Sequence, residues 1–446
     1  MKSFKKYLPA ALAAVLSVPV HALTVNGTVI DSANKTPIEG AFVTLGKTSV
    51  QTDKNGTFRI DGDGTEVRAR AYGHMRTVQT VGTNATALKL ELKPFTPKGI
   101  YLSAYGISSL KLRNSALDLV RDTQINTFVI DIKTDTAMVT YKTAVPLANE
   151  IGAQKLVLKK DLPDLIAKLH EQGIYTIGRI VTFKDTLLAQ AHPELAIKTA
   201  NGEIFRDREG LAWVDANQTK VWDYNIALAE EAAQMGFDEI QFDYVRFPDK
   251  RGLVFSKPNN EENRVAAISG LLATARKKLE PYNVFLSADI FGYVSWNLDD
   301  TEIGQRIVDV MQHVDYASPM LYPSGFQFGI PGYRNPVVNS HEIVYRTLER
   351  ARVRANVPAV RFRPWLQAFK DYAFDRRHFG PEEIQQQISA ADSFGSNGWL
   401  LWNPRNVYNA EHIKAASIKK ATPATKVAEV TAANEPALSG QHSGVQ

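Results

Sequence analysis

The sequence predicts an α/β protein, a (β/α)8 TIM barrel preceded by a small Ig-like or transthyretin-like β-sandwich. Its 446 residues are enough for two folded units. Short β-prone runs between turn residues fill segment 23–93, whereas from residue 99 onward apolar strand-like runs alternate with amphipathic helical stretches. Hydrophobic residues make up 44% and charged residues 22%, which excludes a wholly disordered chain and a multi-span membrane protein.

The first 22 residues predict a secretory signal peptide. Lys2, Lys5 and Lys6 precede an apolar run that starts at Leu8, and small residues surround a cleavage site after Ala22. The run is shorter than the roughly 20 residues that span a bilayer, so we expect cleavage and no membrane span afterwards. The mature chain is then expected in the periplasm or outside the cell.

The net charge and the cysteine content exclude several classes of partner and of functional site. The net charge falls from +5 to about +2 once the three lysines of the signal are removed, and this balance does not predict a nucleic-acid partner. The chain contains no cysteine, which excludes disulfides, thiolate metal sites and cysteine nucleophiles. Such a chain suits export without oxidative folding.

Segment 23–93 has several short strand-like runs, which predict a β-sandwich. Asn55-Gly56 predicts a hairpin turn. The stretches Val25–Val29, Pro37–Ala41 and Thr52–Phe58 resemble the carboxypeptidase regulatory-like domain. That resemblance implies an Ig-like module without catalytic residues, and contact with a glycan or another protein is open to it.

Prolines at 94 and 97 mark a linker, 94–98, and the predicted barrel follows over 99–417. Its helices are amphipathic, with Leu162, Leu165, Ile166 and Leu169 on one face. A doubly wound open sheet is the alternative, but no glycine-rich phosphate loop follows the first strand. The Ala-, Thr-, Lys- and Pro-rich segment 418–446 predicts a disordered tail. The eight predicted strands are Gly99–Tyr105, Asn126–Lys133, Ile174–Phe183, Phe237–Phe247, Val284–Tyr293, Asp315–Tyr322, Val360–Phe369 and Gly398–Trp402.

Catalytic groups of such barrels lie at the carboxyl ends of the strands. In the fourth predicted strand Asp243 shares a face with Glu239 and Gln241, whereas Ile240, Phe242 and Tyr244 form the opposite, outward face. Asp243 would therefore point into the mouth of the barrel. The alternative is a structural carboxylate that clamps the loop or pairs with Arg246, and the deeper Glu239 is expected to be structural.

The fifth predicted strand repeats this arrangement with Asp289 on the inward face. Two carboxylates on adjacent strand ends suit glycoside hydrolysis, in which one protonates the leaving oxygen and the other attacks or activates water. The alternative interpretation of Asp289 is a helix cap or a member of a structural carboxylate network. Further polar and aromatic candidates for substrate binding are Asp131, Lys133, Arg179, Trp213, Asp215, Arg246, Tyr322, Trp365, Gln367, Trp402 and Asn403, of which Asp215 alternatively caps a helix.

Five motifs occur along the predicted barrel, at Gly99–Ser103, Arg179–Asp185, Gly236–Pro248, Ser318–Ser324 and Arg363–Gln367. Together they resemble one family, the putative glycoside hydrolase domain long catalogued as a domain of unknown function. The resemblance runs from about Gly99 to Tyr408 and implies a TIM barrel with a presumed glycosidase activity on a polysaccharide. One departure is Gly325, where members often have histidine.

The nine histidines show no i, i+4 pair, so neither a metal nor a cofactor is expected. The working hypothesis is a glycosidase with Asp243 as nucleophile or base and Asp289 as general acid. Arg246 and Asp131 would orient the sugar or tune the carboxylates. The alternatives are a catalytically inactive polysaccharide-binding or envelope-organising barrel and a metal-assisted polysaccharide deacetylase.

Overall fold

The computed structural model describes residues 23–82 and 87–414. The predicted signal peptide and the predicted disordered tail lie outside these residues.

The N-terminal part is a β-sandwich of two sheets, as predicted. One sheet has the order β4-β1-β7 and the other the order β3-β2-β5-β6. Alternate residues of β4 and β7 are buried, and Val25, Val43, Ile60, Val67 and Leu90 belong to the core between the sheets. The strands are β1 Leu23–Asp31, β2 Phe42–Leu45, β3 Thr48–Gln51, β4 Thr57–Gly62, β5 Glu66–Arg70, β6 Thr77–Thr80 and β7 Leu88–Leu92.

Two features of the sandwich differ from the sequence expectation. Strands β3 and β6 were not predicted, because three of the four residues in each are polar. Asn55-Gly56 does form a turn, with Gly56 at φ +70°, but this turn joins β3 to β4, which lie in different sheets. It is therefore a crossing between sheets rather than a hairpin.

The second part is a closed barrel of eight parallel strands in the order β8-β9-β10-β12-β14-β15-β16-β17, which confirms the predicted fold class. The short strands β11 Lys198–Thr199 and β13 Leu253–Val254 pair with each other outside it. The barrel strands are β8 Lys98–Leu102, β9 Thr127–Lys133, β10 Tyr175–Val181, β12 Glu239–Asp243, β14 Phe285–Phe291, β15 Tyr316–Met320, β16 Trp365–Gln367 and β17 Trp399–Trp402.

Helices surround the barrel and cover the outward faces of the strands. Ile240, Phe242, Leu286, Ala288 and Ile290 pack into this layer. No helix in 23–82 or 87–414 is long and apolar enough to cross a membrane. The helices are α1 Ala104–Ser108, α2 Leu110–Asp122, α3 Pro146–Glu150, α4 Leu162–Glu171, α5 Thr186–Ala191, α6 Thr219–Gln234, α7 Glu261–Leu279, α8 Ile307–His313, α9 Ser340–Ala355, α10 Pro381–Phe394 and α11 Ala410–Ile413.

Large side chains fill the barrel interior, which is therefore not a pore. Tyr175 and Phe285 lie in this inner cluster. Glu239 lies among them, fully buried, and accepts hydrogen bonds from Arg363 Nη1 at 2.5 Å and Tyr175 Oη at 3.0 Å. With its charge matched and no solvent within reach, Glu239 is a structural residue.

The sandwich packs on the end of the barrel where the strands begin. Arg70 of β5 donates to the carbonyl of Val284 at 3.0 Å, and the backbone N–H of Gly73 donates to Tyr316 Oη at 3.1 Å. The fully buried Asp315 pairs with Arg70 at 3.5 Å and with Arg276 of α7 at 2.6 Å. The opposite end, where the strands finish, is left uncovered by the sandwich.

Replacing Asp315 by Ala is expected to lower the free energy of unfolding by about 3–5 kcal/mol, because the buried guanidinium of Arg70 and the half-buried guanidinium of Arg276 lose their counterion. Burial alone would raise the pKa of Asp315, but Arg70 and Arg276 outweigh it and hold the pKa below its ordinary value. Its contribution to stability is therefore present above the unfolded-state pKa of about 3.9 and is lost as the pH falls through the native value. Urea unfolding of both proteins at neutral and acidic pH measures the difference.

The matched control is Asp118→Ala, which breaks the surface pair with Arg121, whose side chain is 68% exposed. That change is expected to cost less than about 1 kcal/mol. Equal losses for the two variants would contradict a buried ionic contact between sandwich and barrel.

Candidate active site

A cleft of about 320 Å³ opens at the carboxyl ends of the barrel strands. Its position is the one at which barrels of this kind carry their active sites. The predicted site residues that line it are Arg179, Asp243, Arg246, Asp289, Tyr322, Trp365 and Trp402.

Asp243 is the last residue of β12 and is held from two sides. Arg179 donates to its Oδ2 from Nε at 2.9 Å and from Nη2 at 2.5 Å. Its Oδ1 accepts the backbone N–H of Tyr244 at 2.6 Å. The cation that pairs with Asp243 is thus Arg179 from the neighbouring strand β10, and not Arg246 as the structural alternative supposed.

Tyr244 was predicted to face outward and does not. Its backbone adopts φ +48°, which is rare for a residue with a side chain, and this ends the alternation of the strand at Asp243. The ring of Tyr244 consequently lines the cleft.

Asp289 lies level with Asp243 on the adjacent strand. The register pairs Gln241 with Ser287 and Phe242 with Ala288, so the next residue of each strand is a carboxylate. Asp289 is buried, and its Oδ1 accepts the indole N–H of Trp365 at 2.8 Å.

The pKa of Asp289 lies well above the ordinary value of a carboxyl, first because the group is buried and second because Asp243 is negatively charged. Arg179 and the hydrogen bond from Trp365 act in the opposite direction without cancelling this shift. Two neighbouring carboxyl groups thus sit in different electrostatic surroundings. Asp289 is the one suited to carry a proton.

Arg179 also connects Asp243 to a second buried carboxylate, that of Asp131. Its Nη1 donates to Asp131 at 2.7 Å, and Asp131 accepts the hydroxyl of Tyr101 at 2.7 Å. Burial raises the pKa of Asp131, and Arg179 opposes that rise. Tyr101 in turn stacks on Trp402 at 3.9 Å between ring centroids, so this network fixes both Arg179 and the tryptophan wall of the cleft.

The sequence matches the model of a family described as "Putative glycosyl hydrolase domain" over residues 99–408. The chain belongs to this family. The match covers the barrel and every residue that lines the cleft.

Several solved structures are also similar to this chain. A hypothetical protein from Ruminiclostridium thermocellum is 39% identical, with 43% of this chain and 96% of that chain covered and a TM-score of 0.39. The PgaB (BpsB) glycoside hydrolase domain from Bordetella bronchiseptica is 11% identical over 73% of this chain and 100% of that chain, at a TM-score of 0.47. A chitinase from Chromobacterium violaceum is 12% identical over 71% and 96%, at 0.43. The search of curated proteins finds no match.

Several predicted binding residues of this family member lie away from the cleft. The pairing of β9 with β10 shifts register between Asp131 and Lys133, and the Lys133 ammonium turns away to pair with Asp185 at 2.8 Å. Asp215 accepts hydrogen bonds from the backbone N–H groups of Asn217 and Ser256 and so closes a loop, while Gln218 occupies the N-cap position of α6.

Three further predicted binding residues stabilise loops and do not line the cleft. They are Gln367, Asn403 and Trp213. Gln367 donates to Ser324 Oγ at 2.7 Å, and Asn403 donates to the carbonyl groups of Ala368 and Val407, both at 2.8 Å. The indole N–H of Trp213 donates to Asp207. Each of these side chains uses its polar atoms to hold a loop, which explains why it does not reach the cleft.

Much of the lining was not predicted from the sequence. Six of the missed residues are aromatic and lie at a strand end or up to six positions beyond it, which is the signal that could have revealed them. Gly325, the departure from the family pattern, also lines the cleft. The missed residues include Asp135, Glu209, Tyr244, Phe291, Tyr293, Phe326, Phe369 and Tyr372.

A larger hollow, of about 1550 Å³, lies between the sandwich and the beginning of the barrel strands. Arg76, His170 and Asp238 line it. Asp238 pairs with Arg76 of the sandwich and with His170 of the barrel. This hollow contains neither Asp243 nor Asp289, so the smaller cleft is the candidate active site. Within residues 23–82 and 87–414, no three His, Cys, Asp or Glu side chains are grouped to hold a metal ion.

Proposed function

We propose that this protein is an exported glycoside hydrolase that cleaves a polysaccharide with Asp243 and Asp289. The observation that carries the proposal is the pair itself. Two carboxyl groups from adjacent strands open into one aromatic cleft, and their surroundings separate a proton carrier from an ion-paired carboxylate. Membership of the glycosyl hydrolase family supports the same reaction class.

Asp289 is the general acid in this mechanism. Its raised pKa favours the protonated carboxyl group, and the proton passes to the glycosidic oxygen as the bond to the anomeric carbon breaks. Asp243 attacks the anomeric carbon or removes a proton from the attacking water. Its Oδ1 keeps a lone pair for this step, because it accepts the backbone N–H of Tyr244 alone, whereas Oδ2 accepts both hydrogen bonds from Arg179.

The aromatic walls bind the sugar. The rings of Trp365 and Trp402 are nearly perpendicular, at 86°, with centroids 5.4 Å apart. Tyr101 covers one face of Trp402, and Trp402 lines the cleft, where an apolar sugar face can stack on the exposed part of its ring.

Replacing Trp365 by Phe is expected to move the basic limb of the pH–activity profile to higher pH. The indole hydrogen bond lowers the pKa of Asp289, so its loss raises that pKa further and the acid stays protonated to higher pH. The loss of one such bond should lower kcat/KM at the optimum by about 5-fold. Rates measured across pH for both proteins test this.

Trp222→Phe is the matched control, because the indole of Trp222 donates to the carbonyl of Ala216 and does not line the cleft. Its basic limb should stay where it is in the parent. A Trp365→Phe limb that does not move, or moves to lower pH, would contradict the assignment of Asp289 as the acid.

The decisive experiment is a screen of the purified mature chain against envelope and biofilm polysaccharides with detection of new reducing ends. Product from the parent but not from Asp243→Asn supports hydrolysis. Binding without product from either protein would favour an inactive polysaccharide-binding barrel. Release of acetate that a chelator abolishes would favour a deacetylase.

Export and the class of the N-terminal module are parts of the same proposal. Residues 1–22 act as a signal peptide, and the seven-stranded sandwich is a carboxypeptidase regulatory-like module that contacts a glycan or protein. N-terminal sequencing of the protein recovered from the periplasm or medium should begin at Leu23. An intact Met1 on a protein recovered from the cytoplasm would contradict export.

A further inference from the structure

Arg246 lies at the cleft and packs against two aromatic rings. It follows the end of β12 by three residues, is half-buried and lines the cleft. Its guanidinium carbon lies 5.1 Å from the ring centroid of Trp213 and 5.7 Å from that of Tyr244. These two rings hold the plane of the guanidinium, whose Nη1 also donates to the carbonyl of Phe247 at 3.0 Å.

Most of the other charged groups of the cleft form ion pairs within the protein. Arg179 is shared by Asp243 and Asp131, and Glu209 pairs with the buried Lys184. Asp135 is an exposed acid beyond the end of β9, separated from β12 by strand β10.

Among the residues that the structure describes, no carboxylate lies within ion-pair distance of Arg246. The N–H groups of its guanidinium that Phe247 does not occupy therefore remain available toward the cleft. A guanidinium held in this way in a half-buried site is stabilised most strongly by an anionic group of the ligand.

We propose that Arg246 recognises a carboxylate on the substrate, so that the polysaccharide is acidic and carries its carboxylate on the sugar beside Asp243. This inference rests on the proposed function and deepens it. The planar fork of a guanidinium matches the two oxygens of a carboxylate, whereas a neutral hydroxyl uses only one of its donors. Uronic acids and lactyl-ether sugars share this chemistry.

The first test compares acidic polysaccharides with the same polymers after their carboxyl groups have been reduced to alcohols. The probes are oligouronates and glycan strands that carry lactyl ethers, which distinguish the two sources of the carboxylate. The parent should prefer one carboxylated form, and Arg246→Met should lower kcat/KM on it by about 10–100-fold. The same variant should lose less activity on the reduced form than on the carboxylated form, because the reduced substrate has no carboxylate to lose.

Two further variants separate recognition from folding. Arg246→Lys keeps the positive charge but loses the planar fork of the guanidinium. Its kcat/KM on the carboxylated form should lie between the values of the parent and of Arg246→Met. Arg251→Met is the control, since Arg251 is 81% exposed and pairs with Glu302. The melting temperature of each variant shows whether the fold is intact.

Equal losses on the carboxylated and reduced forms would overturn the inference, because they would make Arg246 a support for Tyr244 rather than a recognition residue. Equilibrium binding of the same oligosaccharides to the parent and to Arg246→Met gives a readout that needs no catalysis. If the parent binds both forms equally, the inference fails even though hydrolysis stands. If it binds the carboxylated form better but cleaves neither, the inference stands and the proposed function fails.

Discussion

Replacing Asp243 by Asn is expected to lower kcat on the polysaccharide by about 10³-fold or more, with substrate affinity changed only several-fold. The amide has nearly the shape of the carboxylate but cannot attack the anomeric carbon or accept a proton from water. It also leaves Arg179 with Asp131 as its only carboxylate partner among the residues described here. Initial rates of reducing-end formation, together with oligosaccharide binding by calorimetry, measure the two effects separately.

The control is Asp249→Asn, which makes the same chemical change at an exposed position six residues further on. It should retain the activity of the parent. Unfolding curves of the Asp243→Asn variant are needed beside the rates, because Asp243 belongs to a buried ionic network. A well-folded Asp243→Asn protein that still turns over at the parental rate would end the two-carboxylate mechanism.

Replacing Asp289 by Asn is expected to have an effect that depends on the leaving group. On the natural polysaccharide the rate should fall by roughly 10²–10⁴-fold, because the leaving sugar oxygen loses its proton donor. On an aryl glycoside with an acidic phenol as leaving group, which departs without protonation, the loss should be under about 10-fold. The basic limb of the pH profile, which the raised pKa of Asp289 sets in the parent, should disappear.

Comparison with Asp243→Asn makes this assignment specific, since that variant should fail on both substrates. If Asp289→Asn lost activity equally on both, Asp289 would be acting as the nucleophile or as a structural group. The roles of the two aspartates would then be reversed or shared.

The barrel itself could be predicted from the sequence because its strands are buried on both sides. Runs such as Thr127–Lys133 and Tyr175–Val181 are buried at every position, and a closed parallel barrel is the arrangement that hides such runs among helices. Two strands of the sandwich were not predicted because they have the opposite property. Strands β3 and β6 are largely polar and partly exposed, so no hydrophobic pattern marked them.

The candidate site was predictable as far as strict alternation along a strand held. It held for Asp243 and Asp289, which both face the cleft. It failed where the backbone left the regular strand. The register shift before Lys133 turned that side chain away from the site, and the left-handed backbone of Tyr244 brought an aromatic ring into it.

By itself, the sequence determined the class of the fold, the register of the two aspartates on neighbouring strands and the polar character of the barrel mouth, because these follow from local periodicity and burial. Only the tertiary structure decided that Arg179 rather than Arg246 neutralises Asp243 and that the sandwich packs on the end of the barrel opposite the cleft. The choice between two arginines depends on distances across strands that are far apart in the chain, and periodicity along one strand carries no information about them. Burial beside a second carboxylate is likewise a property of the assembled barrel, and it is what raises the pKa of Asp289.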